Sequence, residues 1–400
     1  MIREIRLRKI FDSRGMPTVE AEVSNGKHWA KASSPSGTSR SAYEAFAFPG
    51  SVELGIKKLY AKKGKLLGID ELDQKGLDEA LHSIDGTERF SEIGGNIATA
   101  ISIANAKLAA IEEGMELYEL ISKLSNAKKK IPRLLGNVLG GGAHSQNGMS
   151  VQEVLVSSKR KGTEIEENVH VKIYGEIGRY LESNGFATGK TIENAWTSRL
   201  DTRESIKAVR MVGEKVEKMV EIGVDMAAST YFKNNAYNFD GKKMQAKKYA
   251  ELVEEIAEEY SISYIEDPFE SSDFRSFSEL NKSLGKGFLV VGDDLYATNS
   301  ERIKQGKREG ATGGVIIKVN QAGTLTDAIN AAKAAAGMKI IASHRSGETE
   351  DTFLAHVAVG LGADYIKCGV VGGERISKIN ELARIEKSMK IGKSREKKDL

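Results

Sequence analysis

Apolar and polar residues alternate from Pro17 to Val23 (PTVEAEV), the pattern of a half-buried strand. Lys27 to Ala32 reads as its return partner after an Asn25-Gly26 turn. The first forty residues therefore predict β structure. From Asp70 the pattern becomes helical. Asn96 to Glu113 is Ala-rich and apolar at helical spacing, with Asn96 the expected N-cap and Gly114 the expected C′ stop. Strands followed by helices predict an α+β N-terminal domain over 1–127. The charge run Lys128 to Lys130, followed by Ile131-Pro132, predicts a linker.

The second half repeats one unit. Short apolar runs (GVDMAAS, SYIEDPF, LVVGDDL, GVIIKVNQ, KIIASHR and DYIKCGV) each end in a polar residue. Those ends are Asp225, Glu266, Asp293, Lys318, His344 and Lys367. Helix-like segments such as Tyr249–Glu259 and Thr324–Ala336 separate the runs. Such alternation predicts βα units with a parallel sheet. A polar residue at every strand end predicts an α/β fold closed into a TIM-like β/α barrel over 131–400, preceded by the smaller domain. An open, doubly wound sheet is the alternative, but it would not need a functional residue on each strand.

Composition narrows the class. The chain has 400 residues, with Lys plus Arg 59 and Asp plus Glu 56, a net charge of +3. That charge gives no reason to expect a nucleic-acid partner. Lys242-Lys243 and Lys247-Lys248 read as solvated faces. One Cys excludes an internal disulfide framework and suits a reducing compartment. The start MIREIRLRKIFDSRG has no long apolar core, and no run is long enough for a membrane span, so a cytoplasmic location is expected. Gly 41 against Pro 5 predicts many tight turns and close backbone approaches.

The strand ends carry the candidate chemistry. Asp225, Glu266 and Asp293 would meet at one barrel mouth, where they repel unless a cation sits between them. Hard oxygen donors suit Mg²⁺. Lys318, His344, Arg345 and Lys367 beside that site imply an anionic substrate, and a Lys among cations can serve as a general base. Any one of these residues could simply end a strand in solvent; six at successive strand ends argue for a shared site. LGGGAH, with His144, and the loop Pro35 to Ser41 are glycine- or small-residue turns able to approach a ligand. Glu193 has no special status by composition. His28, His82, His170 and His356 show no ligand spacing. Phosphate-loop and dinucleotide fingerprints are absent.

Together these segments resemble enolase. DSRGMPTVEAEV, PSGTSRSAYEA, GNVLGGGAHSQN and VQEVL are similar to that family's N-terminal and loop motifs. GVIIKVNQAGTLTDA, ASHRSGETEDTFLAHVAVGL and YIKCG are very close to its barrel segments, and SHRSGETEDTF is highly specific. The resemblance implies a Mg²⁺-dependent lyase interconverting 2-phosphoglycerate and phosphoenolpyruvate. It implies that Asp225, Glu266 and Asp293 hold a first Mg²⁺ and that Ser39 helps hold a second. Lys318 would be the base at C2 and Glu193 the acid at the C3 hydroxyl. Arg345 and Ser346 would bind phosphate and Lys367 the carboxylate, with His144, Gln152, Glu153 and His344 on the substrate side. It also implies a homo-oligomer, dimer or octamer.

Several positions depart from the family pattern. Ile192, Asn194 and Ala195 surround Glu193 where the family has Asp and two glycines. Arg40 and Ser41 replace Thr and Gly in the loop, and Ser229-Thr230-Tyr231 replaces SEF. The chain ends in KSREKKDL. A changed angle or hydrogen bonding at Glu193 is expected. The alternatives are the same proton chemistry on another acidic substrate, or a non-catalytic binding protein.

Overall fold

The computed structural model describes residues 1–37, 41–142 and 148–396. Ser39, Arg40, Ala143 and His144 lie outside the described residues. The chain opens with three antiparallel strands in the order β1 (Glu4–Phe11), β2 (Pro17–Ser24) and β3 (Trp29–Ser33). The alternation read from Pro17 is that of the central strand, but the strand is not half-buried. Val19, Ala21 and Val23 have no exposed surface, and Thr18 and Glu20 on the other face are buried as well, because the strand lies between two others and under the helices. Helices α1 (Val52–Lys62), α2 (Gln74–Asp85), α3 (Gly95–Glu112) and α4 (Leu117–Ser125) follow.

Helix α3 is apolar nearly all round, and a helix of that kind is buried. Ile97, Ile101 and Ala104 have no exposed surface. The expected cap is corrected here. Gly94, at φ 98°, occupies the N-cap, and Asn96 sits inside the first turn. Burial explains the difference, because the Asn96 Nδ2 donates to Ser36 Oγ at 2.6 Å instead of capping its own helix. Gly114, at φ 65°, does take the left-handed conformation expected after the helix.

The second part is a closed barrel with helices outside it. Its strands are β4 (Arg133–Gly140), β5 (Glu153–Ser158), β8 (Val220–Asp225), β12 (Tyr264–Glu266), β13 (Leu289–Gly292), β14 (Gly314–Ile317), β15 (Lys339–Ser343) and β16 (Tyr365–Gly369). Pairing of β16 with β4 closes the ring. A hairpin of β6 (Ala187–Lys190) and β7 (Trp196–Ser198) joins β4 at Leu139. A small sheet, β9 (Phe232–Lys233), β10 (Ala236–Phe239) and β11 (Lys242–Gln245), follows β8. The helices are α5 (Thr163–Ser183), α6 (Thr202–Val216), α7 (Ala246–Glu259), α8 (Phe274–Leu284), α9 (Ser300–Glu309), α10 (Val319–Ala322), α11 (Leu325–Ala334), α12 (Phe353–Gly360) and α13 (Gly373–Glu396). No helix among the described residues is long and apolar enough to cross a membrane.

One strand departs from the expected parallel sheet. β5 runs antiparallel to both β4 and β8. The reason is local: a glycine-rich connection, whose described residues carry a helical turn only at Gly142, leads from β4 to β5. A chain that turns back without a crossover helix must return antiparallel. The reversal has a consequence for chemistry. The first residue of β5, Glu153, faces the same mouth as the last residue of β8, Asp225, with which it is in register.

The N-terminal domain seats against the barrel through polar contacts. Thr99 Oγ1 donates to the Gly323 carbonyl at 2.8 Å, and the Leu325 and Thr326 N–H groups donate to Ser102 Oγ and Asp78 Oδ2 at 2.9 and 3.0 Å. Asp351 accepts from Lys107 Nζ at 2.8 Å, from the Ser33 N–H at 2.9 Å and from the Phe353 N–H at 3.0 Å. Burial alone would raise the Asp351 carboxyl, but Lys107 and these donors hold it below its ordinary value. Asp351→Ala is expected to cost about 2–3 kcal/mol at pH 7, less than for a fully buried pair. The discount follows from Lys107, whose side chain stays 24% exposed. The wild-type contribution is present above the ordinary carboxylate pKa and lost as pH falls through the lowered one. Urea midpoints of the two proteins should therefore differ at pH 7 and converge on acidification. Equal midpoints at pH 7 would remove Asp351 from this joint.

Candidate active site

The C-terminal ends of the barrel strands bring six predicted residues into one cavity. Asp225 ends β8, Asp293 follows β13, Lys318 follows β14, His344 and Arg345 follow β15, and Lys367 lies in β16. Glu266 ends β12 beside them and is fully buried. Glu153 enters from the start of the reversed β5 and Gln152 from the residue before it, Glu193 from the β6–β7 turn, and Ser346 from the loop after β15. Gly37 and Glu44 come from the N-terminal domain. A Cβ at Gly37 would overlap the Arg345 guanidinium as it is placed. Of the predicted residues, Ser39 and His144 lie outside the described ones.

Charge dominates the cavity. Among its described lining residues, Glu44, Glu153, Glu193, Asp225, Asp267, Asp293 and Asp294 face only three cations, Lys318, Arg345 and Lys367. Lys367 Nζ sits between Asp225 Oδ2 at 2.7 Å, Glu266 Oε1 at 2.8 Å and Glu153 Oε2 at 3.0 Å. Lys318 Nζ pairs with Asp293 Oδ2. Gln152 Nε2 donates to the same Asp225 Oδ2 at 3.3 Å, and Gln321 Nε2 to the other oxygen of Asp293, Oδ1, at 3.2 Å. Arg345 Nη1 donates to Glu44 Oε2 at 3.0 Å, which ties this arginine to the N-terminal domain.

Three cations cannot balance so many buried acids. Burial, then the charge of Asp225, holds Glu266 well above the carboxylate range despite Lys367. Burial also pushes Glu153 up to about 8 and Asp294 up to about 7. Asp293 is the exception: Lys318 outweighs burial and keeps it ionised. The same contact corrects one expectation. Lys318 is pushed down by burial, yet Asp293 more than reverses this, so its ammonium is stabilised as the site stands. This excess of buried oxygen donors over positive charge fits a hard divalent cation. The carboxylates of Asp267, Asp293 and Asp294 lie within 4.8 Å of one another.

Glu193 keeps its turn without the family's glycines. Asn194 adopts φ 65°, a left-handed conformation that Asn tolerates better than most residues. The Asn194 N–H closes the turn on the Thr191 carbonyl at 3.0 Å. The Glu193 side chain is buried and faces Asn137 Nδ2 at 3.3 Å and His344 Nε2 at 3.5 Å. The altered neighbours therefore leave the carboxylate inside the cavity.

Sequence reasoning missed four groups. Asp267 follows Glu266 and accepts the Asp293 and Asp294 N–H groups at 2.9 and 2.7 Å, so it fixes the backbone of the next strand end. Asp294 lines the cavity beside Asp293. Both were visible as the second acid of the ED and DD doublets. Gln321 and Glu44 carried no comparable signal, because their contacts come from a helix turn and from the other domain.

The comparisons match this architecture. Residues 2–121 match the family described as "Enolase, N-terminal domain", and residues 128–396 match "Enolase, C-terminal TIM barrel domain". A protein named "Enolase" from Picrophilus torridus is 40% identical over 398 residues, covering 97% of this chain and 99% of that protein. One from Thermoplasma acidophilum is 39% identical, covering 97% and 98%. One from Pyrobaculum aerophilum is 40% identical, covering 96% of each. With both domains matched and full-length relatives at this identity, the chain belongs to the enolase family.

Proposed function

We infer that this protein is a hydro-lyase that interconverts 2-phosphoglycerate with phosphoenolpyruvate and water, using Mg²⁺. The observation that carries this reading is the placement of Lys318 and Glu193 within one acidic cavity that Arg345 also lines. Removal of a proton from C2 and loss of hydroxide from C3 need a base and an acid at different carbons. Lys318 supplies the first from the end of β14 and Glu193 the second from the β6–β7 turn.

Asp225, Glu266 and Asp293 are the residues suited to hold the first ion, and Ser39 is the proposed ligand of a second. The bound ions would stabilise the charge that develops on the substrate carboxylate. Burial, Arg345 and Lys367 favour the neutral amine of Lys318, and Asp293 opposes them unless its carboxylate is engaged by an ion. That engagement would make the free amine accessible as the C2 base. Arg345 and Ser346 bind the phosphate, and the loop at Gly37 closes the N-terminal domain against that arginine. Lys367 faces the substrate carboxylate. Glu153 is held protonated near neutral pH by burial, so it can donate a hydrogen bond beside Glu193. His344 Nε2 faces Glu193 from the other side.

Phosphoenolpyruvate formation is followed by its ultraviolet absorbance. Turnover of 2-phosphoglycerate is expected with Mg²⁺ and should vanish on chelation; folded protein that fails to turn it over would refute the reading. Two variants separate the roles. Lys318→Ala should slow hydrogen exchange at C2 by about 10²–10⁴-fold while Mg²⁺ still binds. Glu193→Gln should keep that exchange and lose dehydration. Wild-type exchange in the first, or normal dehydration in the second, would overturn the corresponding role.

A further inference from the structure

His344 has two ring nitrogens, and the structure shows what each one faces. Its Nδ1 lies 2.8 Å from Arg375 Nη1 and 3.4 Å from the Gly369 N–H. A guanidinium only donates hydrogen bonds, and so does a backbone N–H. Nδ1 must therefore be an acceptor. The proton of the neutral ring then sits on Nε2, which faces Glu193 Oε2 at 3.5 Å.

Arg375 lies in the first turn of α13 and has no exposed surface. It does more than touch the ring. Nη1 also donates to the Arg345 carbonyl and Nη2 to the Ser346 carbonyl, at 2.5 and 2.7 Å. One buried guanidinium thus spans the three consecutive residues that line the cavity after β15. Three positions on in the same helix, Lys378 holds the Thr349 carbonyl and, at 3.1 Å, Glu348 Oε2. Glu348 Oε1 in turn accepts the Arg345 N–H at 2.9 Å.

We propose that Arg375 is a positioning residue that fixes His344 as the neutral Nε2–H tautomer, so that the ring presents a donor, never a lone pair, to Glu193. The idea rests on the assignment of Glu193 to the dehydration side of the reaction. The chemistry follows from geometry. A proton on Nε2, which lies 3.5 Å from Glu193 Oε2, attracts that carboxylate, whereas a ring protonated at Nδ1 would turn a lone pair toward it and repel it. The surroundings also oppose a charged ring. Burial keeps its pKa well below the usual histidine range, and Arg375, Lys367, Lys318 and Lys378 push the same way. Glu193 and Glu153 are the acids grouped with it. A further consequence is that the Glu153–Glu193–His344 group is not a metal site, since Nε2 offers no lone pair.

The tautomer can be read directly. The full-length protein is labelled with ¹⁵N-histidine, and the long-range ¹H–¹⁵N spectrum reports which nitrogen carries the proton. Only six histidines are present, so His344→Asn assigns the signal. In the wild type the Nε2–H pattern is expected, unchanged from pH 5.5 to 8.5. An Nδ1–H pattern, or titration within that range, overturns the proposal without any Arg375 variant. Arg375→Met should release the tautomer, lower kcat by up to about 10²-fold with less change in KM, and add an ionisation to the acid limb of the rate profile. Arg375→Lys, which also only donates, should retain the Nε2–H pattern and recover part of kcat. Equal losses in both variants with an unshifted His344 signal would make Arg375 merely structural. Wild-type protein showing the Nε2–H pattern but forming no phosphoenolpyruvate would overturn the proposed function while leaving the tautomer assignment intact.

Discussion

The barrel mouth holds more buried negative charge than its lysines and arginine can balance. Lys367 alone serves Glu153, Asp225 and Glu266, and Lys318 serves Asp293. Carboxylates crowded in a low-dielectric site take up protons or recruit a cation. The raised positions of Glu153, Glu266 and Asp294 are the first response, and an ion bound among these oxygens would be the second. The surrounding structure keeps that crowd in place. Register sets Glu153 against Asp225 and Asp225 against Glu266. Asp267 then fixes the backbone that carries Asp293.

Much of this was legible in the pattern of the chain. Each of the six later apolar runs contains a barrel strand, and its terminal polar residue faces the mouth. The antiparallel β5 was not legible, because a reversal depends on the connection and not on the alternation of the strand itself. It matters, since it alone brings the start of a strand, Glu153, to an end otherwise built from strand termini. Asn96 was misread as a cap for a related reason. Its partner, Ser36, lies sixty residues away in sequence, and helix-start rules see only local neighbours.

The departures around Glu193 show how a turn survives substitution. The left-handed position that glycine would fill is taken by Asn194, and Thr191 satisfies the N–H groups of Glu193 and Ala195 through its hydroxyl at 3.2 Å. Behind this wall, Arg375 and Lys378 from the last helix brace the loop after β15. In front of it, Glu44 and Gly37 bring the N-terminal domain onto Arg345. Three separate parts of the chain therefore converge on one face of the cavity. Only the barrel strand among them carried a recognisable sequence signal of chemistry by position alone.

A divalent cation bound among these acids would relieve their electrostatic crowding. Calorimetric titration of the protein with Mg²⁺ at pH 7, repeated in buffers of different ionisation enthalpy, tests it most directly. Ion binding should displace protons from the raised carboxyls and the paired lysines, so the measured heat should vary with the buffer and report net proton release. Binding with no proton release, or no binding by folded protein, would contradict the account.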